Sequence, residues 1–275
     1  MSETSTAPHP LDRAVRLEAV GPGLCRGATT PEYWNMVGPF GGATAAVMLR
    51  AVLDHPERRG RPVAQTVNFC AAIAEGPFDV AVRLVRDGRS TQHWQVELSQ
   101  GGKIATTSSA VTGAERETWS HAPATPPKVP RANDVVALDT TGRNAWLGRY
   151  EFRYICGEPV RGGGSAEAPA SAVSHTWIRD QPARRLDYVA LAALSDTFVV
   201  KILQVRGDLP PVATVSLSTY FLADEAALER QGGRPVLGVS DVRVFRHGFN
   251  DQSAELWSDD GELLAVSNQV VWFKG

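Results

Sequence analysis

The sequence predicts an α+β fold of two related halves, each a long helix laid on a curved antiparallel sheet, with the two sheets joined edge to edge into one. Three observations predict it. The same order of elements occurs twice along the 275 residues: strand, long helix, then four strands. Short segments of the two halves can be laid over one another at nearly constant spacing. A proline-rich stretch, Ala122-Pro123-Ala124-Thr125-Pro126-Pro127, stands between them with Pro130 just beyond. The expected division is 13–113 for the first half, 114–148 for the linker and 149–275 for the second half.

The elements follow from local signals. Residues 1–12 are small and polar with prolines, and read as a frayed tail. Strands are expected at 14–20 and 23–29. Pro39-Phe40-Gly41-Gly42 opens a helix running from Ala43 to Leu53, which Pro56 and Gly60 end. Strands at 62–73, 77–87, 91–100 and 103–112 follow, separated by Glu75-Gly76-Pro77, Asp87-Gly88 and Gly101-Gly102. Past the linker come strands at 149–156 and 172–179 around a glycine-rich loop at 161–165. A second long helix is expected from about Leu186 to Leu203, and strands at 212–222, 235–248, 251–258 and 262–273 complete the chain.

The repeat has a register. Phe40–Leu49 lies over Leu194–Leu203 at an offset of 154, Val67–Cys70 over Ser218–Phe221 at 151, and Arg86-Asp87-Gly88 over Arg246-His247-Gly248 at 160. Asp196 then corresponds to Gly42, Thr214 to Val63 and Gln269 to Ser109.

Composition narrows the function. With 28 Lys+Arg against 30 Asp+Glu the net charge is −2, which argues against a general nucleic-acid binder. Cys25, Cys70 and Cys156 lie far apart, so neither a disulfide framework nor a zinc site is expected, and a reducing cytoplasm is the default. The N-terminus lacks the basic and apolar regions of a signal peptide. The apolar run Tyr188–Leu203 is broken by Ser195, Asp196, Thr197 and Lys201 and does not span a bilayer. The six histidines show no metal-ligand spacing. Gly163-Gly164-Ser165-Ala166-Glu167 lacks the last glycine of a nucleophile elbow.

Taken together, Phe40-Gly41-Gly42, Arg86-Asp87-Gly88, Leu194-Ser195-Asp196, Val212-Ala213-Thr214-Val215 and Leu264–Gln269 resemble the acyl-CoA thioesterase II family, whose fold is the double hotdog. The resemblance covers roughly 13–275. It implies hydrolysis of a fatty acyl-CoA without cofactor or metal, a place in lipid metabolism, and a homodimer or higher homo-oligomer. The family's catalytic Asp, Thr and Gln fall on Asp196, Thr214 and Gln269. The chain departs from the family where Val270-Val271 replaces a Glu-Gly and where Ser216-Leu217-Ser218 continues the strand of Thr214, departures that bear on acyl-chain preference.

The residues themselves carry part of this. A carboxylate inside Ala190–Val200 pays for desolvation unless it is hydrogen-bonded. Ser195-Asp196 can equally cap a new helical segment at Thr197. Thr214 on its own is an ordinary strand residue. Gln269, between Val266 and Val270-Val271-Trp272, needs a partner if it faces the core. As a site, Asp196 would activate a water that Thr214 and Gln269 orient. Gly41 and Gly42 would bind substrate, offering helix N-terminal N–H groups to the oxyanion, or would serve close packing. The polar trio exists only in the second half, so one active centre per chain is expected. Arg61, Arg86, Arg179 and Arg246 are candidates for the coenzyme A phosphates. Two other functions stay open: a hotdog enoyl-CoA hydratase, against which the absence of a histidine after Asp196 counts, and a non-catalytic acyl-CoA-binding hotdog protein.

Overall fold

The computed structural model describes residues 7–275. Its first part contains α1 (Pro10–Ala14), β1 (Glu18–Gly21), β2 (Leu24–Ala28), α2 (Gly41–Leu53), β3 (Arg61–Phe69), β4 (Pro77–Asp87), β5 (Thr91–Gln100) and β6 (Lys103–Gly113). Residues 114–149 carry only two 3-10 turns, Ala132–Asp134 and Ala145–Arg149. Then come β7 (Tyr150–Cys156), β8 (Ser174–Asp180), α3 (Tyr188–Leu194), α4 (Lys201–Arg206), β9 (Val212–Phe221), α5 (Glu225–Gln231), β10 (Val236–Asp241), β11 (Phe245–Arg246), β12 (Phe249–Trp257) and β13 (Leu263–Phe273). No helix among the described residues is long and apolar enough to cross a membrane.

All strands join one antiparallel sheet in the order β1-β2-β4-β5-β6-β3-β9-β13-β12-β10-β8-β7, with β11 hydrogen-bonded to β12. Read outward from the central β3–β9 pair, the two sides run β6-β5-β4-β2-β1 and β13-β12-β10-β8-β7, the same order twice. Alternation sets the faces: Gln92, Trp94, Val96 and Leu98 point inward from β5, and Ser267, Gln269, Val271 and Phe273 from β13. α2 and α3 pack on each other inside this sheet and are buried almost all round, so an amphipathic stripe is replaced by a run of small and apolar residues. The linker lies against the other face, where Trp177 Nε1 donates to the Pro130 carbonyl at 2.9 Å, and Val129, Ala132 and Val135 pack on Trp177, Leu237 and Trp257.

The structure corrects several expectations. The second helix is not one long rod from 186 to 203. It ends at Leu194 and resumes at Lys201. Ser195 Oγ and Thr197 Oγ1 donate back to the carbonyls of Leu191 (2.9 Å) and Leu194 (2.7 Å), and Thr197, Val199 and Val200 are β-branched. Both features weaken helix propagation there. Residues 10–14 form a helix started by Pro10 and capped by the His9 ring, which accepts from the Leu11 N–H at 3.1 Å, where tail and strand were expected. Residues 1–6 of the expected tail lie outside the described residues. The strand expected over 62–73 stops at Phe69, the one over 235–248 is divided into β10 and β11, and α5 has no counterpart in the sequence reading.

The repeat register also shifts by one. Both central strands carry a bulge: at Val63, with Pro62 opposite Thr112 and Ala64 opposite Val111, and at Val215, with Thr214 opposite Val271 and Ser216 opposite Val270. Superposing the bulges pairs Thr214 with Pro62, an offset of 152 instead of 151. Gln65 faces Ala110 and Leu217 faces Gln269, so Gln269 corresponds to Ala110, not to Ser109. An offset of 151 would have laid the inward Gln65 over the outward-facing Ser216.

Candidate active site

Asp196 sits in the turn between α3 and α4, at the start of α2. The sheet holds that turn. Ser267 Oγ donates to the Ser195 carbonyl at 3.1 Å, and Gln252 Nε2 to the Phe198 carbonyl at 3.2 Å. Both donors are inward residues of β13 and β12, so two neighbouring strands fix the backbone on either side of the carboxylate.

The carboxyl group is surrounded by protein on most sides and keeps partial exposure through the cavity it opens on. Burial lifts its pKa from an ordinary 3.8 to about 7, opposed by the Gly42 backbone N–H and by the Gln269 amide. Gln269 Oε1 accepts a long hydrogen bond from Thr214 Oγ1 at 3.4 Å. That contact turns Nε2 toward Asp196, where it has no partner within hydrogen-bond geometry yet still lowers the proton affinity of the acid. The bulge at Val215 makes the arrangement possible: strict alternation back from Leu217 would turn Thr214 outward.

Asp196, Thr214 and Gln269 therefore come together, from a helix break and two adjacent strands. Gly41 joins them. A Cβ on Gly41 would lie 2.6 Å from Asp196 Oδ2 and 3.2 Å from the Phe69 ring, so only glycine lets the acid approach the first turn of α2. Gly42 stands apart. It does not line the cavity, its N–H is directed at Asp196, and a Cβ there would collide with the Ala193 carbonyl and the Phe40 ring. Its lack of a side chain serves the close approach of α2 to α3.

These groups open on a cavity of about 490 Å³ walled by both halves and by the linker. Its wall is mainly apolar, with Phe69, Phe198, Val199, Leu203 and Trp146 among the contributors. Among the described lining residues Asp196 is the one carboxylate and Arg143 the one cation. Three buried polar atoms of the lining are unpartnered: Gln269 Nε2, Gln252 Oε1 and Thr106 Oγ1. A carboxylate poised to exchange a proton near neutral pH, beside unpaired polar groups in an apolar cavity, is suited to general-base work on a small polar reactant.

Sequence reasoning missed Gln252, Thr106, Arg143 and Trp146. Gln252 was within reach, since it alternates with Ala254 and Leu256 on the inward face of β12. Thr106 lies in a polar strand with no distinguishing pattern. Arg143 and Trp146 reach the cavity only through tertiary packing of the linker. The expected phosphate ligands do not line it. Arg61 is paired with Glu115 (3.4 Å) and Arg179 with Glu151 (2.7 Å), and Arg86 and Arg246 stand elsewhere.

A family model described as the acyl-CoA thioesterase N-terminal domain matches residues 30–113, and one described as the acyl-CoA thioesterase C-terminal domain matches residues 122–273. No curated protein matches the chain in sequence. Among solved structures the chain is similar to a conserved protein of unknown function with hot dog fold from Alicyclobacillus acidocaldarius, at 42% identity and TM-score 0.91 over 98% of this chain and 99% of that one. It shares its fold with the acyl-CoA thioesterase II TesB2 of Mycobacterium marinum (20% identity, TM-score 0.74, 96% and 98% covered). The same holds for the tesB protein of Mycobacterium avium subs paratuberculosis (19% identity, TM-score 0.78, 96% and 98% covered).

Proposed function

Because the chain belongs to the acyl-CoA thioesterase family, we propose that it hydrolyses a fatty acyl-CoA to free acid and coenzyme A with a water positioned by Asp196, Thr214 and Gln269. The observation that carries this is the half-buried carboxylate of Asp196, facing the unpartnered Gln269 amide in an apolar cavity. The water oxygen attacks the thioester carbonyl carbon and gives a proton to Asp196. Gln269 and Thr214 fix the orientation of the water. The Gly41 N–H at the positive end of α2 is the donor for the developing oxyanion. As the C–S bond breaks, the proton held on Asp196 is returned to the departing thiolate, so the group ends the cycle ionised again. The apolar wall takes the acyl chain. Three free cysteines suit a reducing, cytoplasmic setting.

The test is release of free thiol from a series of acyl-CoAs of increasing chain length by the purified protein. Turnover well above the spontaneous rate, with a preferred length, supports hydrolysis. Tight binding of acyl-CoA without thiol release would replace it with the non-catalytic binding function.

A further inference from the structure

We infer that Arg143, carried on the linker, is the residue that reads the phosphates of the coenzyme A carrier; this rests on the thioesterase function proposed above. Arg143 is the one cation among the described residues lining the cavity, whose one carboxylate is Asp196. Its guanidinium makes no ion pair and no hydrogen bond among the described residues. Asp139, on the same loop, feels its charge but is held by the Thr141 N–H at 2.9 Å. Of the other candidate arginines, Arg61 and Arg179 are occupied by Glu115 and Glu151, and Arg86 and Arg246 do not line the cavity.

The linker backbone next to this cation is anchored. Trp146 stacks on Phe40, the residue before Gly41, with ring centroids 4.2 Å apart and planes within 2°. Asn144 Nδ2 donates to Asn35 Oδ1 at 2.8 Å, and the Trp146 N–H to the Trp34 carbonyl at 3.3 Å. Asn144 and Trp146 are thus pinned to the segment that leads into α2, and Arg143 is the residue next to them in the chain. A guanidinium with all its donors free, exposed on a pocket whose wall is mainly apolar, matches the fork geometry of a phosphate. The acyl and pantetheine parts of a thioester offer it no anion, and the nucleotide part of coenzyme A offers several. A rim charge of this kind acts on capture of the substrate and leaves the chemical step alone.

The experiment compares an acyl-CoA with the matching acyl-pantetheine, which carries the same thioester and no phosphate, in the wild type, Arg143→Ala, Arg143→Glu and the control Arg86→Ala. Binding of free coenzyme A and of pantetheine is measured by calorimetry alongside. Arg143→Ala should raise KM for acyl-CoA about five- to tenfold with kcat held within twofold. Arg143→Glu should raise it further, and coenzyme A binding should weaken in step. KM for acyl-pantetheine should stay within about twofold, and Arg86→Ala should resemble the wild type on both substrates. Equal effects of Arg143→Ala on the two substrates, or none on acyl-CoA, overturn the assignment while leaving hydrolysis intact. Arg143-dependent binding of coenzyme A by a wild type that hydrolyses neither substrate overturns the thioesterase function and keeps the assignment. A wild type that neither hydrolyses nor binds coenzyme A overturns both.

Discussion

Replacing Asp196 with asparagine should stabilise the fold in a way that grows with pH. The carboxyl titrates near 7 in the folded chain, against 3.8 in an ordinary aspartate. A raised folded pKa means that the folded state holds its proton where the unfolded state has lost it. The stabilisation from the protonated form is complete below about pH 4 and is lost as pH rises through 7. At about 1.4 kcal/mol per pH unit, ionising Asp196 in place costs the fold about 4 kcal/mol by pH 8.5, less whatever solvation the cavity supplies. Asparagine has nearly the same shape and never ionises. Two pH units separate pH 5 from the folded pKa, so between pH 5 and pH 8.5 the wild type should lose about 3 kcal/mol relative to Asp196→Asn. Urea unfolding of both proteins at the two pH values reads this difference directly. Groups common to both, such as Asp180, which burial also pushes up to about 7, cancel in the comparison. A gap of the same size at both pH values would refute the burial argument.

Gly41→Ala adds a Cβ 2.6 Å from Asp196 Oδ2 at a position whose backbone accepts alanine. Thiol release should fall about 10–100-fold while the unfolding midpoint moves little, since the helix propensity gained offsets part of the clash. Gln269→Leu removes the amide that opposes protonation of Asp196, so the pH midpoint of kcat/KM should move to higher pH as well as the rate falling; an unchanged midpoint would show that the amide does not sense the carboxylate. Thr214→Val keeps the shape of the side chain and loses its contact to Gln269 Oε1, and should cost about tenfold in kcat with thermal stability preserved.

Much of the sheet was legible in the sequence because its signals are local. Gly101-Gly102 and Asp87-Gly88 mark the turns, and alternation over Gln92–Leu98 marks a face. The trio Asp196, Thr214 and Gln269 came from the family resemblance, since threonine in a strand carries no signal of its own. What the sequence did not reveal depends on contacts between distant segments. The bulge at Val215 is defined by which residue of β13 lies opposite, so the register of the repeat could not be counted from the chain. The break at Ser195–Val200 is stabilised by Ser267 and Gln252, 72 and 54 residues from the carbonyls they bond, although the back-bonding hydroxyls of Ser195 and Thr197 were visible locally. The part of the linker that walls the cavity is placed by the stack of Trp146 on Phe40, a contact across more than a hundred residues.

In the proposed reaction the Asp196 carboxylate draws a proton from the attacking water. The pH dependence of kcat/KM for acyl-CoA hydrolysis, measured from pH 5 to 9 in the wild type and in Asp196→Asn, tests it most directly. Wild-type activity should rise with pH through a single ionisation near 7, because the base works only when deprotonated. The asparagine variant should lose that ionisation and be slower by about 10²–10⁴ at pH 8. A wild-type profile flat across this range, or an asparagine variant that keeps the wild-type rate, would contradict the account.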